Sequence, residues 1–223
     1  FLSRPTHEIL ELLESEQIDI GVATTADIDS SGITETPLLR DPFVLVLPAT
    51  VTFTPNSPLD FMALSDTLPF LRYSSRQLIG RRVEAQLRRI GARFDRRMEF
   101  ETSHVILSLV AAARGWTVTT ALSFARAQRY HSSLRVMPFP GSAFSRDISV
   151  YTREDVPEVI ATMSADTMRA AIRHMVIDPT CGRYPWLSET FRILSYTASD
   201  PESGGANASA NSRIVPKESE NAP

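Results

Sequence analysis

The chain has 223 residues, of which 43% are hydrophobic and 22% charged, and its formal net charge is −3. This composition excludes disorder throughout the chain, and the negative charge argues against nucleic-acid binding by this segment. A single cysteine excludes a disulfide framework, and no apolar run approaches the roughly eighteen residues of a membrane span. We therefore expect a soluble, cytoplasmic protein of one large domain or two small ones.

Helices and strands alternate in the predicted structure of the first half. Helices are predicted over Thr6 to Glu14, Asp60 to Ser65 and Leu78 to Ile90. Strands are predicted over 18–23, Ile33 to Arg40, Phe43 to Pro48 and Leu68 to Tyr73. Because a helix that leads into a strand usually completes a βαβ unit, we expect a further strand and a longer chain ahead of Phe1.

The alternation continues through the second half. Helices are predicted over His104 to Arg114, Leu122 to Gln128 and Pro157 to Val176, with Ser103 as an N-cap and Gly115 as a stop. Strands are predicted over Arg97 to Glu101, Trp116 to Ala121, Leu134 to Phe139 and Asp147 to Thr152. From Ala198 the composition turns to Ser, Asn, Gly, Pro and Glu, which predicts a disordered tail over 198–223.

This order of elements favours an α/β architecture divided into two lobes. In such folds a small molecule binds in a crevice at the carboxyl ends of the strands, where the N–H groups at helix N-termini are free. The sequence contains no Walker-A loop, GxGxxG, GxSxG or HExxH motif, and its histidines form no local metal motif. We expect no catalytic residue, no metal and no cofactor.

Hydroxyl side chains lie at the predicted strand-to-helix junctions. They are Thr6, Ser74, Ser75, Thr102, Ser103, Thr119 and Thr120. One interpretation is that most of them cap helices. The other is that hydroxyls from several junctions converge into a donor-rich cradle for a carboxylate. Arg72 and Arg146 stand beside these junctions, either as bidentate partners of an anion or in salt bridges.

Five segments of the chain carry a resemblance to a known family. They are Leu10-Glu11-Leu12-Leu13-Glu14-Ser15 leading into Ile18-Asp19-Ile20-Gly21-Val22, 38–48, Leu68-Pro69-Phe70-Leu71-Arg72-Tyr73-Ser74-Ser75, 109–116 and 135–140. In this order and spacing, over nearly all of Thr6 to Val176, they resemble the effector-binding domain of LysR-type transcriptional regulators.

The resemblance implies a periplasmic-binding-protein type II fold, with two lobes joined by two crossing strands. Residues 1–48 plus 139–197 would form lobe I and residues 49–138 lobe II. It also implies a winged helix-turn-helix DNA reader at the N-terminus, absent from this chain, and effector contacts from Thr6, Ser74, Ser75, Thr102 and Ser103. To these we add Thr120, Arg72 and Arg146 from the reasoning above, for a small anionic metabolite.

Members of this family are similar to one another in forming antiparallel pairs through helices of the two lobes. Here one helix face carries Glu8, Glu11 and Glu14 and another carries Arg81, Arg82, Arg88 and Arg89. These faces would be complementary across a twofold axis, in a homodimer or homotetramer. The alternative is two solvated helix faces in a monomer.

Three classes of protein therefore compete. The first is the ligand-sensing domain of a LysR-type regulator, which reaches DNA through its missing N-terminal domain and has no membrane partner. The second is a solute-binding protein of a transporter with the same fold, which a leader peptide would favour. The third is an enzyme on this fold, which the sequence disfavours because the hydroxyls at the junctions include no nucleophile with a partner base.

Overall fold

The structure is a computed structural model that describes residues 5–25, 32–94, 98–140 and 144–195. Its α-helices are α1 (Thr6–Glu14), α2 (Pro58–Thr67), α3 (Leu78–Arg89), α4 (Ser103–Ala111), α5 (Ala121–Ala125), α6 (Glu158–Ile172) and α7 (Asp178–Arg183). Its strands are β1 (Ile20–Thr24), β2 (Ile33–Pro48), β3 (Arg72–Tyr73), β4 (Glu99–Phe100), β5 (Thr117–Thr120), β6 (Leu134–Pro138), β7 (Ser145–Arg153) and β8 (Arg192–Ile193). The predicted disordered tail lies outside the described residues.

One long strand, β2, connects two groups of strands. Its first part, Ile33 to Pro42, pairs antiparallel with β7, and β7 pairs on its other side with β1. From Phe43 onward β2 pairs instead with β5 and β6. The prediction of two separate strands here is wrong, because Pro42 falls where β2 changes partners and its missing N–H interrupts neither ladder.

The second group contains a parallel arrangement. β3 pairs parallel with β4, and Phe70 forms a parallel bridge with Trp116 just before β5. Because carboxyl ends of parallel strands meet at one edge, the starts of α3, α4 and α5 lie together there. This edge adjoins the point where β2 and β7 cross between the two groups of strands.

Two large clusters of buried side chains form the core. The larger spans both groups of strands, with Leu38 of β2, Ile106 of α4 and Phe191 near β8 all buried. The other is aromatic and belongs to the second group, where the Trp116 ring stacks on Phe61 at 5.3 Å. The larger cluster therefore connects the two groups of strands.

The first helix packs directly on the first sheet. Leu10 and Leu13 of α1 lie against Ala23 of β1, as the amphipathic pattern predicts. Gly21 permits this close approach, since a Cβ there would stand 2.5 Å from the Ile9 methyl Cγ2. Any larger residue at this position would push α1 away from β1.

Two details of α4 differ from prediction. The N-cap is Thr102, whose hydroxyl accepts a hydrogen bond from the Val105 N–H, rather than Ser103. The helix ends at Ala111, and the left-handed residue after it is Ala113, with φ 54°, rather than Gly115. Gly115 serves close packing instead, because a Cβ would lie 2.6 Å from the Pro69 carbonyl oxygen.

The segment after α6 belongs to the fold, although no helix or strand is predicted in it beyond Val176. A π-helix over Arg173–Ile177 leads into α7, and Leu187 and Phe191 are buried in the large core. β8 then pairs with β2 through Ile193 opposite Leu39. This C-terminal segment packs beside α5 through the rings of Tyr184 and Phe124, 5.5 Å apart.

Candidate functional site

A buried ion pair lies where β2 and β7 cross. Their register places Asp41 opposite Arg146, and Arg146 Nε donates to Asp41 Oδ2 over 3.0 Å. Asp41 Oδ1 accepts a 2.9 Å hydrogen bond from the Leu122 N–H in the first turn of α5. The Asp41 side chain is 0% exposed and that of Arg146 17%. The carboxylate therefore ties both crossing strands to the start of α5.

Hydroxyl groups surround this ion pair. Tyr73 and Thr119 share a hydrogen bond of 2.5 Å between their hydroxyl oxygens. The Ser103 hydroxyl donates to Ser123 Oγ over 3.2 Å, and the Thr120 hydroxyl donates to the same oxygen over 3.1 Å. We call these seven residues the junction cluster: Asp41, Tyr73, Ser103, Thr119, Thr120, Ser123 and Arg146.

The junction cluster has hydrogen-bonding capacity for a ligand. Arg146 carries five N–H donors, and its contacts with Thr24 Oγ1 and Thr120 Oγ1 are both 3.5 Å, longer than a good hydrogen bond. Ser103 and Ser123 are only partly buried, whereas Thr119 and Thr120 are fully buried. The guanidinium and the two serines thus offer polar groups suited to a carboxylate.

Burial governs protonation in this cluster. It raises the pKa of the Asp41 carboxyl, while Arg146, the Leu122 N–H and Thr120 act in the opposite direction. It also raises the pKa of the Tyr73 phenol, opposed by hydrogen bonds to Ser103 and Thr119. Tyr73 therefore stays protonated at neutral pH and keeps a donor in the cluster.

Three of the residues predicted to bind effector lie in the junction cluster: Ser103, Thr120 and Arg146. Three other members, Asp41, Tyr73 and Ser123, were not predicted from the sequence. One feature of the sequence could have pointed to Asp41, because the charged pair Arg40-Asp41 interrupts two apolar runs. Tyr73 had none, since an aromatic residue at the end of a strand is most often core.

The other predicted hydroxyl residues have local roles. Ser74 is buried, and its Oγ accepts a 3.3 Å hydrogen bond from the Arg76 N–H. Thr102 caps α4, which is the capping interpretation stated above. Thr6 opens α1 and Ser75 is exposed before α3. Their contacts with an effector stay predictions.

Arg72 is held within its own group of strands. Its guanidinium forms an ion pair with Glu84 of α3 and donates to the Phe94 carbonyl over 3.0 Å. The side chain is 4% exposed and lies over the Phe70 ring. These contacts match the salt-bridge interpretation of Arg72, so we do not include it in the junction cluster.

The predicted pairing helices expose most of their charged residues. Arg81, Arg88 and Arg89 are exposed on α3, as are Glu11 and Glu14 on α1, while Glu8 is partly buried. Arg82 differs, because it is partly buried and its Nη2 lies 3.5 Å from the Thr25 carbonyl oxygen at the end of β1. Arg82 thus contacts the first group of strands within the same chain.

The only cysteine of the sequence contacts residues outside the junction cluster. Cys181 lies on α7, with its sulfur 3.9 Å from the Phe191 carbonyl oxygen, and burial raises the pKa of its thiol. A raised pKa lowers the fraction of reactive thiolate. Across the described ranges, no group of three or more His, Cys, Asp or Glu side chains is placed to hold a metal ion, and no helix could span a membrane.

Solved structures share this fold. A Corynebacterium glutamicum OxyR C206 mutant matches with a TM-score of 0.62 at 20% identity, over 81% of this chain and 56% of that chain. The apo-form regulatory domain of HypT from Salmonella typhimurium matches with a TM-score of 0.60 at 14% identity, over 76% and 80%. The effector binding domain of QuiR in complex with shikimate matches with a TM-score of 0.57 at 14% identity, over 76% and 78%. The expected two-lobed type II fold is thereby confirmed.

Sequence comparison gives the family. No curated protein sequence matches the chain. The chain spans about half the length of the OxyR mutant, 56%. The sequence model of the LysR substrate binding domain matches residues 1–165. The chain therefore belongs to the family of LysR substrate binding domains and is a ligand-sensing regulatory domain.

Proposed function

We propose that the chain is the sensing part of a DNA-binding transcriptional regulator and that it binds a small organic anion at the junction cluster. The observation that carries the proposal is the placement of Arg146. Its guanidinium is partly exposed and, beyond the ion pair with Asp41, makes only 3.5 Å contacts, to the hydroxyl of Thr24 at the end of β1 and to that of Thr120 before α5. Arginine in such a setting recognises carboxylates through paired hydrogen bonds.

Binding at this point would act on both groups of strands. Arg146 lies on β7 and contacts Thr24 at the end of β1, whereas Ser103 and Ser123 belong to α4 and α5. A ligand that bonds to both sides has a different affinity for different arrangements of them. That difference in affinity is what allows it to shift the regulator between two states.

The cluster supports binding without chemical transformation. Its hydroxyls lie near one carboxylate, Asp41, which already accepts hydrogen bonds from Arg146 and Leu122. A general base must reach the proton that it removes, and the Asp41 carboxylate is fully buried. The family match favours a regulator over the solute-binding protein of a transporter. In this proposal DNA is contacted by a separate N-terminal domain.

A carboxylate screen tests this function. Thermal shift with a panel that includes shikimate, the ligand named for QuiR, identifies a hit, and calorimetry gives its affinity. Ser103→Ala is expected to weaken the hit about tenfold, the loss typical of one hydrogen bond to a charged group. Ser74→Ala and Thr102→Ala test the contacts predicted from sequence in the same assay.

Ser108→Ala is the matched control for this experiment. Ser108 lies on the same helix as Ser103, and its hydroxyl bonds to the Val105 carbonyl rather than to the junction cluster. We expect its affinity to equal that of the parent chain. Equal affinity for Ser103→Ala and Ser108→Ala, or no hit in the screen, would contradict binding at the cluster.

We further propose that two copies associate through α1 and α3. The acidic residues Glu8 and Glu11 of one copy would face Arg81, Arg88 and Arg89 of the other. Exposed ion pairs contribute only about 0–1 kcal/mol each, so they select the orientation of the copies more than they hold them together. Arg82 is the predicted interface residue with the least support, because it contacts Thr25 in its own chain.

Sedimentation equilibrium tests this pairing. We expect a dimer whose dissociation constant rises with salt, because salt screens exposed charges. Arg88→Glu is expected to weaken the dimer, and Glu11→Arg in the same chain is expected to restore it in part. A monomeric mass at every salt and protein concentration would refute the proposal.

A further inference from the structure

A second cavity lies outside the junction cluster. Its volume is about 420 Å³, within the range of roughly 300–1,000 Å³ typical of small-molecule sites. One wall is the end of α5 and the 3₁₀ helix Gln128–Ser133, and the other is the π-helix with α7. The second wall lies beyond residue 165, where the family match ends. The junction cluster bonds to the start of α5, so the two sites occupy opposite ends of this helix.

The cavity is lined by positive charge without a matching carboxylate. Arg126 and Arg183 both line it, and no aspartate or glutamate does. Among the described residues, neither arginine forms an ion pair, although Arg183 lies over the Tyr184 ring at 5.7 Å. Two arginines that converge on one cavity without a carboxylate partner favour an anion as the third member.

Most of the remaining lining is apolar or already hydrogen-bonded, and Gln128 adds one amide side chain. Met175, Val176 and Pro179 provide an apolar wall. The Thr180 hydroxyl donates to the Val176 carbonyl over 2.6 Å. His131 is fixed by a 2.9 Å hydrogen bond between Nε2 and the Phe124 carbonyl oxygen, with its ring stacked on Phe124. The ligand that fits these walls has an anionic group and an apolar body.

The π-helix is a second indication of function. It covers Arg173–Ile177 and supplies Met175 and Val176 to the cavity. A π-helical turn is rare in proteins, and where it interrupts an α-helix it is frequently found at a functional site. Here it sets the apolar wall opposite Arg126.

We propose that this cavity is a second ligand site, which takes a small organic carboxylate with an apolar body. The carboxylate lies between Arg126 and Arg183, and the apolar body lies against Met175 and Val176. The site is independent of the junction cluster, so it stands whether or not an effector binds between the groups of strands.

The test uses 6-bromo-2-naphthoate with the whole 223-residue chain. Met175→Glu places a negative charge at the rim of the cavity and is expected to weaken binding at least about tenfold, as is Arg126→Ala. Met163→Glu is the matched control: Met163 is 64% exposed and outside the cavity, Met175 is 69% exposed, and both substitutions add the same charge. We expect Met163→Glu to bind as the parent does. Circular dichroism verifies that each variant is folded.

Two further measurements test whether the ligand must be an anion and where it binds. 6-Bromonaphthalene-2-carboxamide, which is neutral and keeps the bromine, is expected to bind at least about tenfold more weakly than 6-bromo-2-naphthoate. In a crystal, the anomalous signal of bromine is expected in the cavity beside Met175. Equal affinity of Met175→Glu and Met163→Glu, no detectable binding of the probe, or a bromine signal beside Arg146 instead would overturn the proposal.

Discussion

Replacing Asp41 with alanine is expected to lower the free energy of unfolding by about 3–5 kcal/mol, the loss typical when one member of a buried ion pair is removed. The side chain is fully buried, and its two oxygens accept hydrogen bonds from Arg146 and from the Leu122 N–H. Burial raises the pKa of this carboxyl, which means that burial by itself disfavours the charged form. The loss of stability in the variant therefore comes from the donors of Arg146 and Leu122, which are left without a partner. Urea unfolding measures it.

Asp147→Ala is the matched control. Asp147 stands opposite Arg40 at the neighbouring register position of the same two strands, where the two side chains are 31% and 39% exposed. This partly exposed pair remains in contact with water, so it is expected to contribute less than the buried pair, about 1 kcal/mol. The double variant Asp41→Ala/Arg146→Met should be more stable than Asp41→Ala, since it leaves no cation unpaired at the crossing. Equal losses for Asp41→Ala and Asp147→Ala would disprove this role of the buried pair.

Replacing Trp116 with alanine is expected to cost about 3–5 kcal/mol, as truncation of a large buried aromatic side chain leaves a cavity. The Trp116 side chain is 0% exposed. Its ring lies 4.7 Å from the Phe70 ring and 5.4 Å from the Phe94 ring, and its indole N–H donates to Ser65 Oγ over 3.2 Å. The substitution removes the central ring of the aromatic core that packs against β3 and β5.

Trp186→Ala provides the comparison, because Trp186 is 38% exposed and is the only other tryptophan of the sequence. We expect it to change stability by less than about 1 kcal/mol. Unfolding followed by far-UV circular dichroism compares the two variants without relying on tryptophan fluorescence. Similar losses for both would mean that the aromatic core is not a main source of stability.

The helices were predictable because their apolar residues repeat with helical spacing. The bounds of α1 agree with the predicted Thr6 to Glu14, and α3 ends at Arg89, one residue before the predicted end. The strands were harder. Two strands were predicted on either side of Pro42, yet Pro42 occupies the point where one strand, β2, changes partners, and partner choice is a property of the tertiary fold.

The candidate site was predictable only in part. Ser103 and Thr120 stand at strand-to-helix junctions, which sequence patterns locate. Asp41 and Arg146 meet across 105 positions of sequence, through a strand register that no local pattern encodes. The wall of the second cavity was predicted only as far as Val176, because the segment over α7 has little periodicity and packs against α5 through Tyr184.

A crystal structure of the chain with the carboxylate that gives the largest thermal shift would test the proposed function most directly. We predict that the ligand carboxylate lies within about 2.7–3.2 Å of a nitrogen of Arg146 and of the hydroxyl of Ser103 or Ser123. A ligand bound elsewhere, with the junction cluster unchanged from the arrangement described above, would contradict the assignment of this cluster as the effector site.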